Sequence, residues 1–462
     1  MPNSPVNVHS HARPPALTRR AMIRALGGTL GAVGLSGALA NHADAAVRSP
    51  HFAPRAKRVI HLFMNGGPFQ ADLFDPKPLI NKFQGQRPEE VRLRTENVTG
   101  GLMAVPAEFR LRGKCGLPVS DLLLQFGELM DDVCVLRGMY TDNPNHGPAL
   151  FMMNNGTITP TRPSMGSWAL YGLGSENENL PGYVVLCPGR PVRFSELWTS
   201  SFLPGEFQGT YLNHSHRDPQ KMVPFLRHAS RDVEAQRRQL ELLQRLETER
   251  AAQDSALEAR VRAMETAFRM QFAATDALDV SREPEEIRAE YGDSPFAVGC
   301  LLARRLAERG VRFTQVYYGN GQPWDTHSDH NNQTRALCAD IDRPMAALLR
   351  DLKRRGMLED TLVLWGGEFG RTPTTEGANG RDHNHWGFCM WMAGGGVKGG
   401  IAHGATDDFG FRAVEDRMHI HDLHATLLHV LGLDHERLTY RYAGRDFRLT
   451  DVHGIVNTSI LA

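Results

Sequence analysis

Residues 361–373 read TLVLWGGEFGRTP. The run 361–365 is apolar, carries the β-branched Thr361 and Val363, and stops at Gly366 and Gly367. That is the pattern of a buried strand. Glu368 and Arg371 follow directly, where open α/β sheets place their ligands. A Gly/Asn-rich loop leads on to RDHNHWGF at 381–388. His383 and His385 are two apart, so in an extended segment they share one face. A carboxylate and two imidazoles gathered at a strand end suit a borderline divalent ion.

The same grammar repeats upstream. Residues 312–318 (RFTQVYY) read as a strand, the loop GNGQPW follows, and then come Asp325 and His327. A long helix is expected over 333–355, closed by Gly356. Another helix at 295–309 precedes that strand, closed by Gly310. Strand, ligand-bearing loop, helix and strand in succession argue for a mostly parallel sheet with helices on both faces. Loops after consecutive parallel strands leave on one edge, so Asp325, His327, Glu368 and His385 are expected to converge there.

Nearer the start, residues 58–64 (RVIHLFM) read as the first core strand, ended by NGGP. Asp72 then suits a metal ligand or a cap in equal measure, and Asp75 reads as a cap or turn residue. Strands are expected at 132–136 and 183–187. His146 falls near the N-terminus of an apolar helix, where backbone N–H groups favour an anion. Between about 219 and 290 two charged amphipathic helices read as a hairpin covering the core. Residues 422–432 read as a histidine-rich closing helix, with His421 and His424 expected at the surface. The glycine run at 394–400 lacks the Gly-Lys-Ser/Thr ending of a phosphate-binding loop.

Lys+Arg and Asp+Glu are equal at 52 each, so charge offers no case for nucleic acid or an anionic membrane. The six cysteines form no Cys-x-x-Cys pair, which speaks against a thiolate zinc site and for small buried side chains. At the start, Thr18-Arg19-Arg20 heads a weak apolar region at 25–40 with small-residue cleavage sites at 38–40 and 43–45. This reads as a twin-arginine signal over residues 1–45, with the mature domain at 46–462. The apolar run is too short and glycine-rich for a stable membrane anchor. The expected partner is the twin-arginine export machinery, and the expected location is the periplasm or beyond. That route carries folded chains, so a metal can enter before export.

Taken together, FMNGGP at 63–68, DLFDPKP at 72–78, Asp325-Thr-His327, GGEFGRTP at 366–373, DHNH at 382–385 and MAGGGVKG at 392–399 carry a resemblance. They resemble the secreted bacterial family called domain of unknown function 1501, which is grouped by fold with alkaline phosphatases and sulfatases. The resemblance spans nearly the whole mature chain. It implies an alkaline-phosphatase-like α/β fold with a mostly parallel central sheet, helices on both faces and a helical insertion. His146, Pro148 and Gly156 keep the spacing of the sulfatase nucleophile motif. Glu368 and His385 resemble that superfamily's metal-binding Asp and the histidine after it. Two departures stand out. Asn65 replaces the usual metal-binding Asp at the end of the first strand, and His146 stands where the covalent nucleophile would be.

These readings imply an exported metal-dependent hydrolase of phosphate or sulfate esters, acting on a small-molecule or polysaccharide ester. Asp325, His327, Glu368 and His385 would hold one or two divalent ions, with His146 and Asp72 completing the set. Zinc is expected first, with manganese or calcium as alternatives. A bound ion lowers the pKa of its water to about 7, which supplies a nucleophile without Ser or Thr. His383 would serve as general acid and Arg371 would pair with the anionic substrate. Two other readings stand beside this one. The chain could be a non-catalytic protein with a structural metal or a polysaccharide-binding role. It could also be a phosphotransferase with His146 as nucleophile. An open coordination position separates catalytic from structural metal sites.

Overall fold

The structure is a computed structural model describing residues 49–223, 232–248 and 255–462. The expected signal segment at 1–45 lies outside the described residues, as do residues 224–231 and 249–254 of the expected helical insertion.

The strands that position the site are β1 (Arg58–Phe63), β2 (Thr99–Leu102), β3 (Val133–Tyr140), β4 (Tyr183–Leu186), β5 (Thr210–Leu212), β6 (Phe313–Tyr317), β7 (Thr361–Gly366), β8 (Gly370–Glu376), β9 (Gly380–Asn384), β10 (Phe388–Ala393), β11 (Ile401–His403) and β12 (Met418–His419). The helices are α1 (His146–Asn155), α2 (Met165–Leu173), α3 (Val233–Thr248), α4 (Ser255–Leu278), α5 (Pro295–Glu308), α6 (His330–Arg354) and α7 (Ile420–Val430). Among the described residues, nine strands form the central sheet in the order β11-β3-β10-β7-β1-β6-β4-β5, with β12 paired to β3. The block β7-β1-β6-β4-β5 is parallel throughout.

β10 runs antiparallel to both β7 and β3. The cause lies in the connection. A parallel return from β7 would need a crossover of a dozen or more residues, usually a helix. Here the hairpin β8–β9 fills that interval, and the chain re-enters the sheet in the opposite direction. The edge at which β1, β3, β6 and β7 end is therefore also the edge at which β10 begins. Every candidate ligand segment meets there.

Alternation along the strands divides the interior into two cores. Ile60, Leu62, Val316, Val363 and Trp365 face α5 and α6, against Leu302, Leu306, Ile341 and Leu348. Val59, Phe63, Phe313, Leu362 and Leu364 face α1, α2 and α7, against Leu150, Trp168 and Leu427. The expected α/β architecture with helices on both faces is what the chain adopts. α3 and α4 pack on each other, and α4 also contacts α5. A small antiparallel sheet, β9-β8-β2, sits over the ligand-bearing edge. A separate apolar cluster that includes Phe69, Ile80, Val91, Leu102 and Phe411 anchors it.

The closing helix corrects one expectation. His421 and His424 are buried, not at the surface. His424 Nε2 reaches the Met153 carbonyl of α1 at 2.8 Å, and the His421 ring stacks on His453 at 5.0 Å between centroids. The six cysteines are free, and all but the half-buried Cys115 are buried.

Candidate functional site

Four elements deliver the site. The loop after β6 brings Asp325 and His327. The first residue of α1 is His146, and Asn145 caps that helix by accepting from the Gly147 N–H at 3.1 Å. The strand β9 supplies His383, whose register partner on β8 is Arg371. The turn after β7 supplies Glu368.

His146, Asp325, His327 and His383 each offer one ligand atom, and these atoms all lie within 4.8 Å of one another. Asp325 Oδ1 is 3.1 Å from His146 Nε2, 2.9 Å from His327 Nε2 and 3.2 Å from His383 Nε2. The two nitrogens of His327 and His383 are 2.9 Å apart. Donors around a tetrahedral zinc-type ion at about 2.0–2.1 Å stand roughly 3.3 Å from each other. The measured edges are close to that figure.

The far side of each imidazole explains why the near side is free to coordinate. His146 Nδ1 is 2.7 Å from Glu368 Oε1, His383 Nδ1 is 2.6 Å from Glu96 Oε2, and His327 Nδ1 contacts Glu376. A carboxylate on Nδ1 holds the proton there and turns the Nε2 lone pair inward, as in most histidine metal sites. Three lone pairs and a carboxylate oxygen then converge, with Arg371 as the cationic neighbour of Asp325 among the described residues. The buried His146 Nε2 faces Asp325 Oδ1. Only protons or a cation can relieve this crowding of acceptors. His327 shows the proton alternative, since the hydrogen bonds it donates to Asp325 and Glu376 push its pKa up to about 9 despite burial. Burial alone would raise the Asp325 carboxyl, but the three imidazoles and Arg371 outweigh it and hold it far below the usual range.

Several side chains stand elsewhere than the sequence reading placed them. Glu368 is fully buried, both its oxygens face the Gly66 N–H at 3.1 and 3.2 Å, and it meets the cluster only through His146. Arg371 is also fully buried. It donates to Asp325 at 2.6 Å and to the carbonyls of Gly66 and Gly67, so no face is left for a substrate anion. Asp72 closes a short 3-10 turn and points away, with Oδ2 2.7 Å from His330 Nε2. Asp75, read as a cap, pairs with Lys77 at 3.2 Å.

His385 is outside the cluster and His383 is in it. The two-residue rule holds only while the chain stays extended, and β9 ends at Asn384. His385 instead lies against Trp386, at 4.4 Å between rings, where burial lowers its pKa to about 4. Glu96 and Glu376 were not legible as site residues. Only the general need of a coordinating imidazole for a carboxylate partner would have prompted a search for them.

The chain belongs to the family "Protein of unknown function (DUF1501)", whose model matches residues 56–461. No curated protein matches it. Solved structures that resemble it include the PsFucS1 sulfatase from Pseudoalteromonas sp., 12% identical with a TM-score of 0.37, covering 88% of this chain and 72% of that one. The lipoteichoic acid synthase LtaP from Listeria monocytogenes is 10% identical with a TM-score of 0.34, covering 86% and 76%. The TAB5 alkaline phosphatase mutant His 135 Glu is 9% identical with a TM-score of 0.28, covering 74% and 91%.

Proposed function

We propose that this member of the DUF1501 family is a metal-dependent hydrolase of phosphate or sulfate esters. The observation that carries the reading is the convergence of three glutamate-backed imidazoles and Asp325 Oδ1 at the carboxyl edge of the sheet. His146, Asp325, His327 and His383 would hold one divalent ion, with zinc the best match to an N3O donor set. Such an ion supplies a water of pKa about 7 and positive charge for a developing oxyanion.

The protein's own groups divide the remaining work. Glu368, Glu376 and Glu96 keep the imidazoles in the coordinating tautomer. Arg371 fixes the Asp325 carboxylate. The side chains of His327 and Asp325 are 33% and 22% exposed, so the centre is open to a substrate from solvent. The reading is tested by assaying the zinc- and manganese-loaded chain against aryl phosphate and aryl sulfate esters. Turnover that disappears with a chelator supports it, and no turnover of either class by the loaded chain rejects it.

A structural ion is the second reading, and one observation favours it: four protein donors already fill a tetrahedral set. In that case removing the ion lowers the unfolding temperature sharply while no ester is hydrolysed. We further propose export by the twin-arginine route, on the strength of Arg19-Arg20 ahead of the apolar region. No helix among the described residues is long and apolar enough to cross a membrane. Changing Arg19 and Arg20 together to Lys should leave the chain in the cytoplasm, and normal export of that variant would refute the route.

A further inference from the structure

An anionic ester needs positive charge at the site, and the cluster is short of it. Among the described residues, Glu96, Asp325, Glu368 and Glu376 bring four carboxylates, against the one guanidinium of Arg371. With neutral imidazoles, one divalent ion still leaves the centre net negative. The two buried arginines nearby cannot make up the difference. Arg371 is committed as described, and Arg381 is fully buried, donating to the carbonyls of Thr372 and Met103 at 3.0 Å each.

Arg193 is different. It is exposed, and its guanidinium has no hydrogen-bond or ion-pair partner among the described residues. Its backbone sits in the left-handed region, at φ 66°, and its side chain lies beside Gly147 in the first turn of α1. There it lies 5.8 Å from the centre of the Phe151 ring. Gly147, the residue after His146, makes the room. A Cβ at that position would come within 3.1 Å of both Nε and Nη2 of Arg193, and within 3.5 Å of Asn145 Oδ1. The guanidinium and the capping amide thus flank one spot at the mouth of the helix. Asn145 Nδ2 in turn donates to Glu96 at 3.0 Å, and Glu96 holds His383. An unpaired cation therefore stands on the rim of the cluster, beside the helix that begins with His146.

We infer that Arg193 receives the anionic group of the substrate, and this rests on the ester-hydrolase reading above. A planar guanidinium suits two oxygens of a phosphate or sulfate group. It touches none of the four donor side chains, so its loss should leave the ion in place. The test uses the full zinc-loaded chain with inorganic sulfate and inorganic phosphate as probes, measured by titration calorimetry. Metal content is read in parallel by mass spectrometry. Arg193→Ala should weaken anion binding by about tenfold or more with the metal content unchanged, and Arg193→Lys should retain part of the affinity. If the wild type binds either anion and Arg193→Ala binds it equally well, the inference falls and the hydrolase reading stands. If the wild type binds neither anion, the inference falls, and the hydrolase reading is then decided by the turnover assay alone.

Discussion

Glu368 faces the Gly66 N–H with both oxygens and His146 Nδ1 with one. Its own position is therefore rigid, and the rigidity passes to His146. Glutamates behind coordinating histidines typically account for about 10–100-fold in metal affinity. Glu368→Gln, which keeps the shape and removes the charge, should weaken zinc binding by that factor in a chelator competition. The site as a whole should survive, because the three other donors remain. An unchanged affinity would mean that Glu368 does not orient His146. The residue scale is also where reading the sequence was weakest. Asp325 and His327 were legible because they follow a clear strand. Glu96 was not, since it lies 287 positions from the histidine it supports, on a segment with no periodic signal.

At the scale of elements, the small sheet β9-β8-β2 determines which histidine enters the cluster. β9 starts hard against the loop after β6. A Cβ on Gly380 would lie 1.8 Å from the His327 carbonyl oxygen, a distance no packing tolerates. Gly380→Ala must therefore push β9 and His327 apart. It should destabilise the fold by about 1–3 kcal/mol, as overpacking does, and weaken zinc binding as well. Denaturant unfolding and metal competition check the two effects, and wild-type values for both would show that the contact yields freely. Much of this level was readable in advance. The strands β1, β6 and β7 and the helices α5 and α6 follow from apolar runs and glycine stops. The reversal of β10 was not readable, because nothing local in Phe388–Ala393 records the direction of a strand. Pairing direction is set by the hairpin β8–β9 that intervenes.

For the whole molecule, three histidines far from the cluster make stability depend on pH. His61, His214 and His424 are at most 1% exposed. Burial lowers their pKa values from 6.5 to about 3, about 4 and about 4. The unfolded chain takes up these protons near pH 6.5, and the folded chain does not until pH 4 or below. Between those values the unfolded state binds more protons, so stability is full above 6.5 and falls as pH drops toward 4. Each histidine contributes up to about 1.4 kcal/mol per pH unit inside that window. Chemical denaturation at pH 7, 6 and 5 should show a steepening loss, and a flat profile would refute the neutral buried imidazoles. The central claim is that His146, Asp325, His327 and His383 form one cation site. Its most direct test is metal content after zinc loading and desalting, in the wild type and in single alanine variants. The account predicts one ion per wild-type chain, lost in His327→Ala and Asp325→Ala and kept in Asp72→Ala and His385→Ala. A wild-type chain that retains no ion, or an Asp325→Ala variant that holds it as tightly as wild type, would contradict it.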